Sequence, residues 1–170
     1  MNLLNVYFTP FATALVLVAL YFSEPEPMVK RLSFAVLALS LVVNHWFTRN
    51  IYRFVGWSSR LKTLQVWLNF LWAVPLFYLL GAYWGPMWLL FTMPPVTSAL
   101  YYGRWRTLGT ACVSSATMLG LYQLRSSSLG LPLGEVVWAM AFVHAAFIVV
   151  LSLFVHELAE TALRLRDMPR

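Results

Sequence analysis

The residues of this chain with capacity for chemistry beyond packing are three histidines, one cysteine and a pair of adjacent prolines. Imidazole can ligate haem or chlorophyll within a helical bundle. His144 lies midway along an apolar run, and Ala141, Ala145 and Ala146 around it would leave room for a macrocycle. His45 and His156 fall near the ends of their runs, so two axial ligands at one depth would be His45 with His156. A lone intramembrane histidine more often hydrogen-bonds a neighbouring helix. No cofactor is therefore expected, and haem or chlorophyll stands as the alternative. Cys112, the single cysteine, can build neither a disulfide nor a cysteine metal site within one chain.

Pro94-Pro95 interrupts an apolar run in its middle and removes two backbone donors, which leaves carbonyls for neighbours, hydroxyls or water to satisfy. Thr92, Thr97 and Ser98 are close in sequence, and Asn69 and Pro75 of another run could line the same space. A helix broken at mid-depth is where membrane proteins often place a ligand. The ligand-binding set read from the sequence is thus Thr92, Pro94, Pro95, Thr97, Asn69 and His144. A kink made only for packing is the competing reading, because proline is common in membrane helices.

Catalysis is not expected. Ser114 and Ser115 have no acid or base beside them in sequence, and neither a phosphate-binding glycine loop nor a His-Glu-x-x-His motif occurs. The apolar runs hold no Asp, Glu, Lys or Arg in their cores, which disfavours a proton or ion path. His156-Glu157-Leu158 superficially resembles a phosphoacceptor motif but lacks the proline and basic residue that should follow.

The elements that must position these residues follow from composition. Of 170 residues 61% are hydrophobic and 11% charged, against roughly a quarter charged in a soluble domain. Helices apolar on all sides need lipid or another membrane helix around them. With about 20 residues per crossing, the sequence predicts an all-α polytopic bundle of about six transmembrane helices over 4–22, 32–48, 64–83, 86–102, 107–124 and 135–156, followed by a short cytoplasmic helical tail over 157–170. The connections are turns by composition, as in Ser23-Glu24-Pro25-Glu26-Pro27 and Trp84-Gly85-Pro86. No cleavable leader is expected, since no basic residue precedes the first run.

Lys and Arg divide unevenly between the two sides that six crossings define. Arg49, Arg53, Arg60, Lys62, Arg104, Arg106, Arg164, Arg166 and Arg170 fall on one side, and Lys30, Arg31 and Arg125 on the other. The richer side is cytoplasmic, which places both termini there. The net charge of +6 therefore reports topology and not nucleic-acid binding, since no basic face is continuous. In the 49–63 connection, Arg49, Arg53, Trp57 and Arg60 are expected at the lipid interface, rings among headgroups and guanidinium groups on phosphates.

Gly109, Cys112, Ala116 and Gly120 put small residues on one face of the fifth run, a pattern that lets helices approach closely. They are read as a packing face, with an oligomer interface as the minority reading. In the tail, Glu160 stands four residues before Arg164, the order that supports a helix.

Several features resemble the six-helix sensory input region of bacterial membrane histidine kinases and related signalling proteins. They are Leu41-Val42-Val43-Asn44-His45, Leu64-Gln65-Val66-Trp67-Leu68-Asn69, Leu79-Leu80-Gly81 before a turn, and Pro86-Met87-Trp88-Leu89-Leu90-Phe91-Thr92-Met93-Pro94, then an Arg-containing turn before a small-residue helix and a charged exit. The likeness covers about three quarters of the chain, residues 37 to 166. It implies a sensing or partner-coupling module, and the sequence carries no dimerisation helix pair or ATP-binding domain. The expected function is a non-catalytic protein of a bacterial inner membrane that packs against other integral membrane proteins. It would serve as an accessory subunit of a complex or as a sensory module without its own output. The alternative is a component that binds or transports a small apolar molecule, similar to the substrate-binding subunits of energy-coupling factor transporters.

Overall fold

The computed structural model describes residues 2–50, 58–129 and 134–166. These residues form helices and turns, with no strand among them. The order is α1 (Asn2–Phe22), α2 (Pro27–Asn50), α3 (Ser58–Leu80), a 3-10 segment (Gly85–Thr92), α4 (Met93–Tyr101), α5 (Arg104–Leu129) and α6 (Glu135–Arg166). Contacts divide the chain into two units, Met1–Leu90 and Phe91–Arg170.

In the first unit α2 packs most extensively on α3, with α1 against both. Each helix buries one stripe at helical spacing: Val16, Ala19 and Leu20 on α1, Ser33, Leu37 and Ser40 on α2, and Val66, Phe70, Ala73, Phe77 and Leu80 on α3. The α1–α2 connection is tight because its residues stop one helix and start the next. Ser23 donates from its hydroxyl and its backbone N–H to the Ala19 carbonyl, and Glu24 turns the chain at φ 42°. Pro27 then occupies the first helical position, where a missing N–H costs nothing. The Phe22 ring stacks on Trp84 at 6.3 Å, tying the end of α1 to the exit of α3.

In the second unit α5 and α6 share the largest interface, and α4 contacts both. The buried stripe of α5 is Thr107, Ala111, Ser114, Met118 and Leu121, and that of α6 is Ala141, Ala145, Ile148, Ser152 and His156. Alanine and serine at these positions let the two backbones approach. The Ser115 hydroxyl reaches the Ala145 carbonyl at 2.9 Å across that contact. Replacing Ser115 with Ala should cost about 0.5–1.5 kcal/mol, the range for an interhelical hydrogen bond. Reversible unfolding of the detergent-solubilised protein would measure the loss.

Boundaries differ from the sequence expectations where the turns are concerned. The run predicted as one helix over 86–102 divides into the 3-10 segment and the short α4. Two prolines in succession withhold the donors that would continue an α-helix from the preceding turn. α2 and α3 begin several residues earlier than predicted, at Pro27 and Ser58, and α6 continues unbroken to Arg166. Length and composition single out three stretches able to cross a membrane, Pro27–Trp46, Thr63–Leu80 and Glu135–Leu165, with Thr9–Phe22 a shorter apolar helix. α5 falls outside this set because the charge-free stretch between Arg106 and Arg125 is rich in hydroxyls and glycine, which lower its hydropathy.

Candidate functional site

Thr92, Pro94, Pro95 and Thr97 all lie at the start of α4, and Met93–Ala99 is buried without interruption. Pro94 and Pro95 stand in the first turn of the helix, where the N–H groups have no intrahelical acceptor in any case. The local polar groups find partners within the unit. Thr97 donates to the Met93 carbonyl at 2.7 Å, and Ser114 of α5 donates to the Phe91 carbonyl at 2.6 Å. The proline pair thus starts a buried helix and is held by α5. Asn69 sits half-buried on α3 in the first unit, and His144 half-buried on α6 in the second.

The small-residue face read from the sequence is turned outward. Gly109, Cys112, Ala116 and Gly120 are all exposed, and a Cβ added at Gly109 or Gly120 would meet nothing within 4 Å. Helical spacing showed which small residues share a face. Which face is buried is set instead by the hydroxyl bonds of Ser114 and Ser115 and by Met118, on roughly the opposite side of the same helix. At the first unit's end, Arg49 is exposed on the last turn of α2. Arg53 and Trp57 lie outside the described residues, and of Arg60 only its place in the first turn of α3 is described.

The second unit holds a cavity of about 550 Å³ at the far end of α4, where the α4–α5 turn meets the C-terminal part of α6. The turn contributes Tyr101, Tyr102 and Arg104, and α6 contributes His156, Glu157, Glu160 and Arg164. Sequence supplies this arrangement in two ways. Tyr102 caps the end of α4 through its N–H to the Ser98 carbonyl, and the Gly103 carbonyl accepts the first bonds of α5, from the N–H groups of Arg106 and Thr107. On α6, residues 156, 160 and 164 recur every four positions and share one face.

The polar groups of that face are linked. His156 is buried, and its Nδ1–H donates to the Ala99 carbonyl at 3.3 Å, which fixes the ring against α4. Its Nε2 lies 4.0 Å from a Glu160 carboxylate oxygen, and Arg164 donates to the other oxygen of Glu160 at 3.1 Å. Arg106 sits over the ring of Tyr102, 5.4 Å from its centroid. Of the three histidines His156 is the one built into this cavity. His45 is exposed on α2 in the other unit. Among the described residues no group of three or more His, Cys, Asp or Glu could hold a metal ion.

Sequence reasoning placed the candidate site at the start of α4, and the cavity lies at its end. The signal was present in the i, i+4 series His156, Glu160, Arg164 opposite an Arg-containing turn. From sequence alone Glu160 and Arg164 stand as a helix-supporting pair and His156 as a candidate haem or pigment ligand.

Family models, curated proteins and solved structures give no match to this chain.

Proposed function

We propose that the chain is a multi-pass protein of a bacterial inner membrane, with six crossings and both termini cytoplasmic, that acts without catalysis by packing against partner membrane proteins. It serves as an accessory subunit of a larger complex or as a sensory module of the kind its sequence resembles. The observation that carries this reading is the exposed side of α6. Val136, Met140, Val143, Phe147, Val150, Phe154 and Leu158 are all exposed there, and their steps of four and three form the seam with which one helix packs on another. The same helix buries Ala141, Ala145 and Ile148 in its own unit, so it is two-sided, with one side committed internally and one offered outward.

Three stretches, Pro27–Trp46, Thr63–Leu80 and Glu135–Leu165, are long and apolar enough to cross a membrane, and the count of six rests on the apolar runs of the sequence. The distribution of Lys and Arg between alternate connections supports the cytoplasmic placement of both ends.

Gentle solubilisation and purification of the tagged full-length chain tests this reading. Defined membrane proteins should travel with it, and changing Phe147 and Phe154 together to alanine should weaken their retention about tenfold or more while the fold is kept. A monomeric particle free of other proteins would contradict the proposal. The cavity favours a second reading, a component that binds a small molecule, to which a ligand that raises thermal stability would testify.

A further inference from the structure

The cavity at the α4–α5 turn has a charge pattern that selects its ligand. Four formal charges line it: Arg104, Arg164, Glu157 and Glu160. Arg164 and Glu160 neutralise each other at 3.1 Å. Arg104 and Glu157 have no ion pair or hydrogen bond from their side chains among the described residues. The site thus presents one uncommitted cation and one uncommitted anion. An anion alone would leave Glu157 facing it, and a cation alone would meet Arg104 with Arg106 close by on Tyr102.

We propose that this cavity binds a zwitterion that joins a phosphate ester to a primary ammonium group, the phosphate on Arg104 and the ammonium on Glu157. A guanidinium is the side chain best matched to phosphate oxygens because its planar N–H groups bond two of them at once. The ammonium donates to the carboxylate of Glu157 as a compact point charge. His156, fixed by Ala99, holds the wall of α6 against α4, and the Glu160–Arg164 pair lies along α6 itself. The volume of about 550 Å³ lies within the span of small-ligand pockets.

Such a headgroup can come from a diacyl phospholipid or from a soluble molecule. The surroundings favour the lipid. Leu100 lines the cavity and is exposed, and Trp105, beside Arg104, is 82% exposed. Together they make an apolar rim along which acyl chains would lie. That choice of source rests on the membrane reading above, whereas the charge complementarity does not.

The test uses the full-length chain in a mild non-ionic detergent, with thermal unfolding and native mass spectrometry as readouts. Phosphatidylethanolamine, phosphatidylglycerol, phosphatidylcholine and soluble phosphoethanolamine are each titrated in. Phosphatidylethanolamine should bind saturably and raise the midpoint. Arg104→Gln and Glu157→Gln should each weaken that binding about tenfold or more, while leaving the ligand-free midpoint unchanged because both residues are exposed. Saturable binding of soluble phosphoethanolamine with the same dependence on Arg104 and Glu157 supports the site and assigns it a soluble ligand. Binding of the diacyl lipid alone supports the site and assigns it a membrane ligand. Equal binding of phosphatidylglycerol or phosphatidylcholine, or binding that survives both substitutions, would overturn the proposal.

Discussion

Placing arginine at Val143 should sharply reduce the stability and membrane yield of the protein, although the side chain there touches solvent-accessible space and little else. Val143 is 65% exposed on α6. In a water-soluble protein such a surface change would stay within about 0.5 kcal/mol. Near the middle of a bilayer an arginine costs about 2.5–3.5 kcal/mol, and the exposed seam of α6 would then face hydrocarbon or a partner helix. The comparison with Leu163→Arg gives the prediction its edge. Leu163 is also exposed on α6 but lies two turns past His156, the residue at which the proposed topology ends the last crossing. That variant should be close to neutral. Parallel measurement of membrane yield and of unfolding free energy in bicelles checks both outcomes. Equal, small effects at the two positions would mean that the seam faces water.

The second large effect is expected inside the second unit. Phe91 is fully buried, and truncation of such a ring to alanine costs about 3–5 kcal/mol through lost contacts and the cavity left behind. Its backbone carbonyl is also the acceptor for Ser114 at 2.6 Å. Phe91→Ala removes the ring and keeps that bond, whereas Ser114→Ala removes the bond and keeps the ring. The former should therefore cost several times the latter, which belongs in the range of about 0.5–1.5 kcal/mol. Chemical unfolding of the two single variants and the double variant would give each contribution. A Phe91→Ala loss no greater than that of Ser114→Ala would show that α4 is not anchored as described.

What the sequence made legible was the elements, three stretches of them long and apolar enough to cross a membrane, because those depend on composition and length. The absence of charge between Glu135 and Glu157 predicts a long apolar helix, and such a helix is present from Glu135 to Arg166. Turn chemistry at Pro25 and Pro27 likewise marks the α1–α2 connection. The division of 86–102 was less legible, because Pro94-Pro95 announces a break without saying whether the residues before it remain α-helical. They wind as a 3-10 segment, and the prolines open the next helix.

The site was the least legible part, for a physical reason. In an apolar chain the hydrophobic pattern no longer separates inside from outside, so it does not tell which face of α5 is buried. Gly109, Cys112, Ala116 and Gly120 form a coherent face and are nonetheless exposed. The polar residues that decide the packing, Ser114 and Ser115, are informative only once their acceptors on Phe91 and Ala145 are known. The same holds for His156, whose carbonyl partner Ala99 is 57 residues away.

Extraction behaviour tests the membrane assignment most directly. Membranes of cells making the full-length chain are washed at alkaline pH and then treated with detergent. The protein should stay in the pellet through the wash and enter solution only with the detergent. Its release by the wash as a folded, monodisperse particle in plain aqueous buffer would contradict the account.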